Sequence, residues 1–159
     1  VVAVDLPWGT VTVTATCAGV SAVTLPGRKV ELSEQEYSAP EAKRVARAAA
    51  RELQAYAQGE LQSFTVALDL SGLTGFQQAV LKACQGVWWG QTATYGELAG
   101  RVGKPGAARA VGQVMARNPV AIIIPCHRVV GSGGRLTGYG GGLKLKRLLL
   151  VHEGADVAI

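Results

Sequence analysis

Thr94-Tyr95-Gly96-Glu97-Leu98-Ala99-Gly100-Arg101-Val102-Gly103-Lys104-Pro105-Gly106-Ala107-Ala108-Arg109-Ala110-Val111-Gly112-Gln113-Val114-Met115-Ala116-Arg117 is the stretch on which the reading of the fold turns. Thr94 is a helix cap, with Glu97 three residues on as its reciprocal partner. The short helix it opens ends at Val102-Gly103-Lys104-Pro105. A second helix runs from about Gly106 to Arg117 and stops before Asn118-Pro119. Short helix, glycine-bearing turn and second helix have the spacing of a helix-turn-helix. The second helix is built mostly of small residues, which let a backbone come close to another surface. Helical hairpins also serve as plain packing units, so the spacing alone leaves both readings open.

Just beyond lies Ile122-Ile123-Ile124-Pro125-Cys126-His127-Arg128-Val129-Val130. Apolar β-branched residues bury the run, and Pro125 stiffens the backbone before the thiol. A thiol and an imidazole held there suggest a reactive cysteine. In an extended segment, neighbouring side chains point to opposite sides, so His127 would reach Cys126 through a bridging water. A base works best when a third group orients it. Glu153 fits that place; its other reading is a cap or an arginine partner. Val130–Gly142 is dense in glycine around Tyr139, without the spacing of a dinucleotide loop. It reads as a pocket wall that brings backbone close to a ligand. Leu143–Val151 reads as a last apolar-basic helix carrying Lys144, Lys146 and Arg147.

On the other side, Phe76, Val80, Leu81 and Ala83-Cys84 mark a helix closed near Gly86, with Cys84 as a buried small hydrophobe. In Val87-Trp88-Trp89-Gly90 the aromatics read as core residues, or else as a platform near a groove. Ser71–Gly75 is the likeliest boundary. Before it, Val1–Asp5 and Thr10–Thr16 form a hairpin about Pro7-Trp8-Gly9, and Ser21–Leu25 is a third strand. Ser38 caps a helix with Pro40 in its first turn and Glu41 completing a capping box; it runs to about Ala57 and stops at Gly59. Its apolar stripe is Val45, Ala49, Leu53 and Tyr56; Arg44, Arg47 and Arg51 form its solvated face. Phe64–Leu70 alternates as a half-buried strand or extended segment. The expected class is therefore α+β. A small N-terminal domain (1–70) with antiparallel sheet and helix precedes a mainly helical domain (71–159) with the helix-turn-helix.

Composition narrows the function. Hydrophobic residues make up 48% of 159, enough for a packed core, and no apolar run is long enough to span a membrane. No secretory signal is visible at the start. Cys17, Cys84 and Cys126 are an odd, widely spaced set, which favours a reducing, cytoplasmic compartment over a disulfide framework. Without a CxxC pair or a histidine pair at helical spacing, no metal site is expected. From Gly75 onward, ten Lys/Arg face three Asp/Glu, a net of +7, whereas residues 1–74 carry −2. The basic part suits a polyanion.

Ile124–Val130 resembles the active-site signature of the O6-alkylguanine-DNA alkyltransferases. Thr94–Ala99, Ala107–Gly112, Asn118-Pro119-Val120, Gly138–Gly142 and His152-Glu153-Gly154 fall in that family's order and spacing. The likeness covers about Phe76 to Gly154. It implies single-turnover repair, in which the alkyl group of O6-alkylguanine, and of O4-alkylthymine, moves irreversibly to Cys126. The activity implied is that of a methylated-DNA–protein-cysteine methyltransferase without a cofactor. His127 would act as base through a water, with Glu153 orienting it. Asn118 would buttress the turn, and Tyr95 would supply the proton that lets guanine leave. Arg109 would replace the flipped nucleotide as its helix enters the minor groove. The implied DNA-facing set is Tyr95, Ala108, Arg109, Gly112, Arg117 and Arg128. Tyr139, Met115, the Val129 carbonyl and Gly140 would line the pocket. The implied partner is alkylated double-stranded DNA, met by a monomer that could assemble on it. In a prokaryote the protein would sit at the nucleoid. Two rivals remain at this point: a cysteine hydrolase, which would turn over, and a damage sensor, which would leave Cys126 unchanged.

Overall fold

The computed structural model describes residues 1–30 and 39–156. The architecture is α+β, as expected, and divides into two compact units. One comprises Val1–Ser71 with Pro119–Ile123; the other comprises Gly72–Asn118 with Ile124–Ile159. A boundary drawn at residue 70 from sequence does not see the five-residue excursion at 119–123.

In the first unit, β1 (Val2–Leu6), β2 (Gly9–Thr16) and β3 (Gly19–Thr24) form an antiparallel sheet in that order. Val4 pairs with Val11, and Val2 with Val13, so period-two alternation puts Val4, Leu6, Val11 and Val13 on the buried face. A register shift at Thr14/Ala15 marks a bulge opposite β3. Helix α1 (Pro40–Ala57) packs on β1 and β2 through Ala42, Ala46, Ala49, Ala50, Leu53 and Tyr56. Four alanines there bring the helix axis close to the sheet, and burying Leu53 contributes about 1.5–3 kcal/mol. Val45 is only half-buried, and Arg44, Arg47 and Arg51 are exposed. Ala39 is the N-cap residue; the expected cap, Ser38, lies outside the described residues.

Phe64–Leu70 is extended but makes only one bridge, Leu68 to Val20. Glu52 holds its start by accepting the Thr65 and Val66 amides at 3.0 Å each. A Cβ on Gly19 would lie 2.7 Å from the Ala67 backbone, so only glycine permits this approach. Further along, Val23 bridges Val120 and donates its amide to Pro119 at 2.9 Å. The outer edge of β3 is thus covered at two points. Within the excursion, Ile122 has φ of 70°, a region costing a β-branched residue about 1–3 kcal/mol. The Ile123 amide reaches the Ala121 carbonyl at 2.8 Å, closing a three-residue turn around it.

The second unit holds α2 (Gly75–Gln85), β4 (Ala93–Thr94), α3 (Tyr95–Arg101), α4 (Ala108–Ala116), β5 (Val129–Val130) and α5 (Leu143–His152). A full capping box of Thr74 and Gln77 starts α2. The Thr94 hydroxyl accepts the Glu97 amide at 3.1 Å and starts α3. Helix α4 begins at Ala108, with Ala107 as N-cap, two residues later than expected. Helices α3 and α4 pack on each other and on α2 through Leu98, Ala99, Val111, Val80 and Leu81. Strands β4 and β5 pair in parallel, Ala93 with Val129 and Thr94 with Val130. That short ladder sets the start of α3 beside the chain leaving Cys126-His127-Arg128. Among the described residues, no helix is long and apolar enough to cross a membrane.

Candidate active site

Pro125 has φ −80° and ψ 62°, an inverse γ-turn, and the Cys126 amide returns to the Ile124 carbonyl at 2.8 Å. Cys126–Arg128 then winds as one 3-10 turn, with the Arg128 amide on the Pro125 carbonyl. The segment is not extended, as sequence had suggested. Successive side chains in such a turn lie about a third of a revolution apart. Cys126, His127 and Arg128 therefore point in three directions, and all three are buried. The Asn118 side-chain amide donates to the Ile124 carbonyl at 3.0 Å. It ties the ends of the second unit across the excursion and fixes the turn that carries the thiol.

His127 is fully buried. Its Nε2 lies 2.7 Å from Glu153 Oε2, at the C-terminal end of α5. Burial works to raise the Glu153 pKa, but hydrogen bonds and charge from His127 and Arg128 outweigh it and hold it at about 2. Glu153 is thus an anion that accepts, so Nε2 carries the proton and Nδ1 carries a lone pair. Among the described residues, Nδ1 finds no hydrogen-bond partner. Burial lowers the pKa of His127 despite Glu153, so the ring rests neutral. For Cys126, burial raises the thiol pKa against the pull of Asn118, Lys146 and the Cys126 and His127 amides. The thiol rests protonated and needs a base to take its proton.

Arg128 corrects one expectation. It is only 5% exposed and cannot meet DNA from this position. Its Nε donates to Glu153 Oε1 at 2.7 Å, Nη2 to Oε2 at 3.0 Å, and Nη1 to the Val87 carbonyl at 2.7 Å. Lys146, on the apolar-basic last helix, is fully buried. Its Nζ donates to the carbonyls of Val129 at 2.6 Å and Thr137 at 2.9 Å, and approaches that of Gly138 at 3.5 Å. A signal was present: 145, 146, 149, 150 and 153 share one face of α5, so Lys146 and Glu153 lie on the buried stripe with Leu145, Leu149 and Leu150.

The Tyr95 hydroxyl and the Thr137 Oγ1 are 2.8 Å apart. Tyr139 is half-buried and sets its ring at 85° to His127, 6.5 Å between centroids. Met115 is buried on α4, and Gly140 is exposed. On α4, Arg109 is exposed while Ala108 and Gly112 are half-buried; Arg117 follows, also exposed. A Cβ on Gly112 would meet the Tyr95 ring at 3.8 Å, ordinary contact. Trp88 is 72% exposed, which removes the core alternative for it and leaves the platform one, whereas Trp89 packs edge-on against His152 with 5.4 Å between centroids. Among the described residues, no group of three or more His, Cys, Asp or Glu could hold a metal ion.

Comparison with known proteins agrees with this geometry. Residues 75–155 match the family model described as 6-O-methylguanine DNA methyltransferase, DNA binding domain. A methylated-DNA–protein-cysteine methyltransferase of Mycobacterium tuberculosis is 57% identical over 102 residues, 64% of this chain. That match spans 61% of the relative's own length. A protein of the same name from Methanosarcina acetivorans is 52% identical over 109 residues, 69% of each chain. The crystal structure of Mycobacterium tuberculosis OGT in complex with DNA superposes with a TM-score of 0.84 at 41% identity, covering 96% of this chain and 91% of that one. With its active turn, its helix-turn-helix and half its length matched, the chain belongs to the 6-O-methylguanine DNA methyltransferase family.

Proposed function

We propose that this protein repairs DNA by moving the alkyl group of O6-alkylguanine, and of O4-alkylthymine, onto Cys126, once per molecule. The observation that carries this reading is the buried pair Glu153–His127, which holds Nε2 and leaves the lone pair of Nδ1 without a hydrogen-bond partner among the described residues, one residue along the turn from Cys126. His127 takes the thiol proton through a bridging water. The sulfur attacks the alkyl carbon, an S–C bond forms, and the C–O6 bond breaks. Tyr95 gives a proton to the departing base, so guanine leaves neutral. A thioether offers no carbonyl to an attacking water, so Cys126 stays alkylated. Asn118 keeps the turn in place through Ile124.

The partner in this reading is duplex DNA with an alkylated base, bound by a monomer. The related Mycobacterium tuberculosis protein was crystallised with DNA. A stacked base hides its O6 atom, so the nucleotide must be flipped out at a cost of a few kcal/mol. Arg109 is an exposed planar cation on α4 and fills the gap. Gly112 supports a close helix approach. Neither its helical conformation nor the Tyr95 ring requires glycine, which costs about 1 kcal/mol relative to alanine in a helix. The demand for a small residue comes from outside, and Ala108 shares that face. Arg117 adds a phosphate contact. Tyr139, Met115 and Gly140 line the base pocket. The Val129 carbonyl keeps a lone pair for the guanine amino group besides the one that Lys146 uses.

Counting turnovers tests the reading. With excess O6-methylguanine duplex, transfer stops at one methyl per chain. Continued release of demethylated DNA beyond that point would mean hydrolysis, and no transfer at all would mean a sensor.

A further inference from the structure

We infer that Arg128 is a positioning residue for alkyl transfer: by forking onto both oxygens of Glu153, including the one His127 uses, it keeps His127 neutral and its Nδ1 ready to take the thiol proton. The inference rests on the proposed reaction and adds a residue to it.

A carboxylate beside a catalytic histidine has two opposed effects. A carboxylate 2.7 Å from an imidazole nitrogen orients the ring, but it also favours the imidazolium, which is no base. In a buried place the effect is strong, because little solvent screens it. A Glu–His pair by itself would therefore gain orientation and lose basicity. Arg128 removes the conflict. Its guanidinium forks onto the carboxylate, Nε donating to Oε1 and Nη2 to Oε2, so the anion already has a full counter-charge before His127 is considered. Oε2 accepts from both Nη2 and the ring, which leaves His127 a hydrogen bond with much of the charge attraction cancelled.

The groups facing His127 fit this account from every side. Glu153 lies at the end of α5 and Lys146 two turns earlier on the same buried stripe. Cys126 and Arg128 flank it on its own turn, and Tyr139 presents a ring edge from the glycine loop. Of these, Glu153 pulls towards the charged ring, while burial, Arg128 and Lys146 oppose it. The third bond of Arg128, to the Val87 carbonyl, anchors the guanidinium from a loop outside the turn. Lysine has the charge but not the fork, and could not hold both carboxylate oxygens and Val87 at once. Arginine is thus required for its geometry as well as its charge.

The test is a titration of the His127 ring by nuclear magnetic resonance in the DNA-free chain, with Arg128→Met and Arg128→Lys beside the parent. In Arg128→Met the His127 midpoint rises by about one pH unit or more, a tenfold or larger gain in the charged fraction. The acid limb of the rate on O6-methylguanine duplex moves up by the same amount, and the rate recovers at high pH. Arg128→Lys shifts both in the same direction by less. If Arg128→Met does not fold, the lysine variant decides. A folded variant whose His127 midpoint and acid limb stay where they are in the parent overturns the inference, because a merely structural tie would give that result. The titration needs no DNA. A parent chain that takes up no alkyl group would therefore sink the repair reading separately, without touching the titration.

Discussion

Lys146 Nζ lies 2.6 Å from the Val129 carbonyl oxygen, with both residues sealed from solvent. The same ammonium reaches Thr137, so one side chain ties the strand after the active turn to the glycine loop that carries Tyr139. Burial brings its pKa down to about 8, with the nearby Cys126 thiol acting against that fall. At neutral pH the group is charged and supports a thiolate on Cys126.

Replacing Lys146 with methionine removes that support and the tie. Cys126 then alkylates about tenfold more slowly at pH 7, the effect of roughly one pKa unit on the thiol. Amide exchange at Gly138 and Tyr139 quickens. In the parent, the rate has a falling limb as pH rises through about 8, where Lys146 loses its proton; the methionine variant lacks it. Equal rates and equal exchange in the two chains would remove Lys146 from the account.

Glu153 makes a prediction about acid stability. Its folded-state pKa, about 2, lies below the ordinary carboxylate value. Its contribution is therefore fully present above about pH 4.3 and is lost as pH falls towards 2, worth about 3 kcal/mol over the window. Urea denaturation of the parent and Glu153→Gln at several pH values reads this directly. The stability gap between them should narrow by that amount between pH 6 and pH 2. A gap independent of pH would mean that Glu153 is not held as an anion.

Gly112 separates the protein's own needs from those of its partner. Alanine at this position fits beside the Tyr95 ring and raises helix stability by about 0.5–1 kcal/mol. A bulkier leucine is predicted to weaken duplex binding while sparing the reaction with free O6-benzylguanine. Loss of both activities together would point to damage inside the fold instead of at the DNA-facing surface.

Arg109→Ala should slow repair in duplex DNA by about ten- to a hundredfold, the scale of 1–3 kcal/mol lost from holding a flipped base. Reaction with the free base is largely preserved, because Arg109 is exposed and outside the buried network. Single-turnover rates on both substrates check this; equal losses would refute a flipping role.

Much of the site was legible in the sequence because its parts are local. The order Cys126-His127, the cap at Thr94, the small residues of α4 and the late Glu153 can each be read from neighbours and spacing. What escaped depends on the tertiary path. Arg128 reads as a surface cation until the turn is seen to be a 3-10 turn facing Glu153. Lys146 reads as one more cation of an apolar-basic helix until the buried stripe of α5 is counted through it. Trp88 reads as core or as a platform because indole is large and apolar, and only the folded loop shows that it lies outside. The excursion at 119–123 pairs with β3 across nearly a hundred residues of chain, beyond any local pattern.

The most direct test of the central claim is the intact mass of the protein after incubation with O6-methylguanine duplex, followed by peptide mapping. The account predicts one added methyl group, located on Cys126, and none on Cys126→Ser under the same conditions. An unmodified Cys126 with demethylated DNA in solution, or a methyl group carried on Cys17 or Cys84 instead, would contradict it.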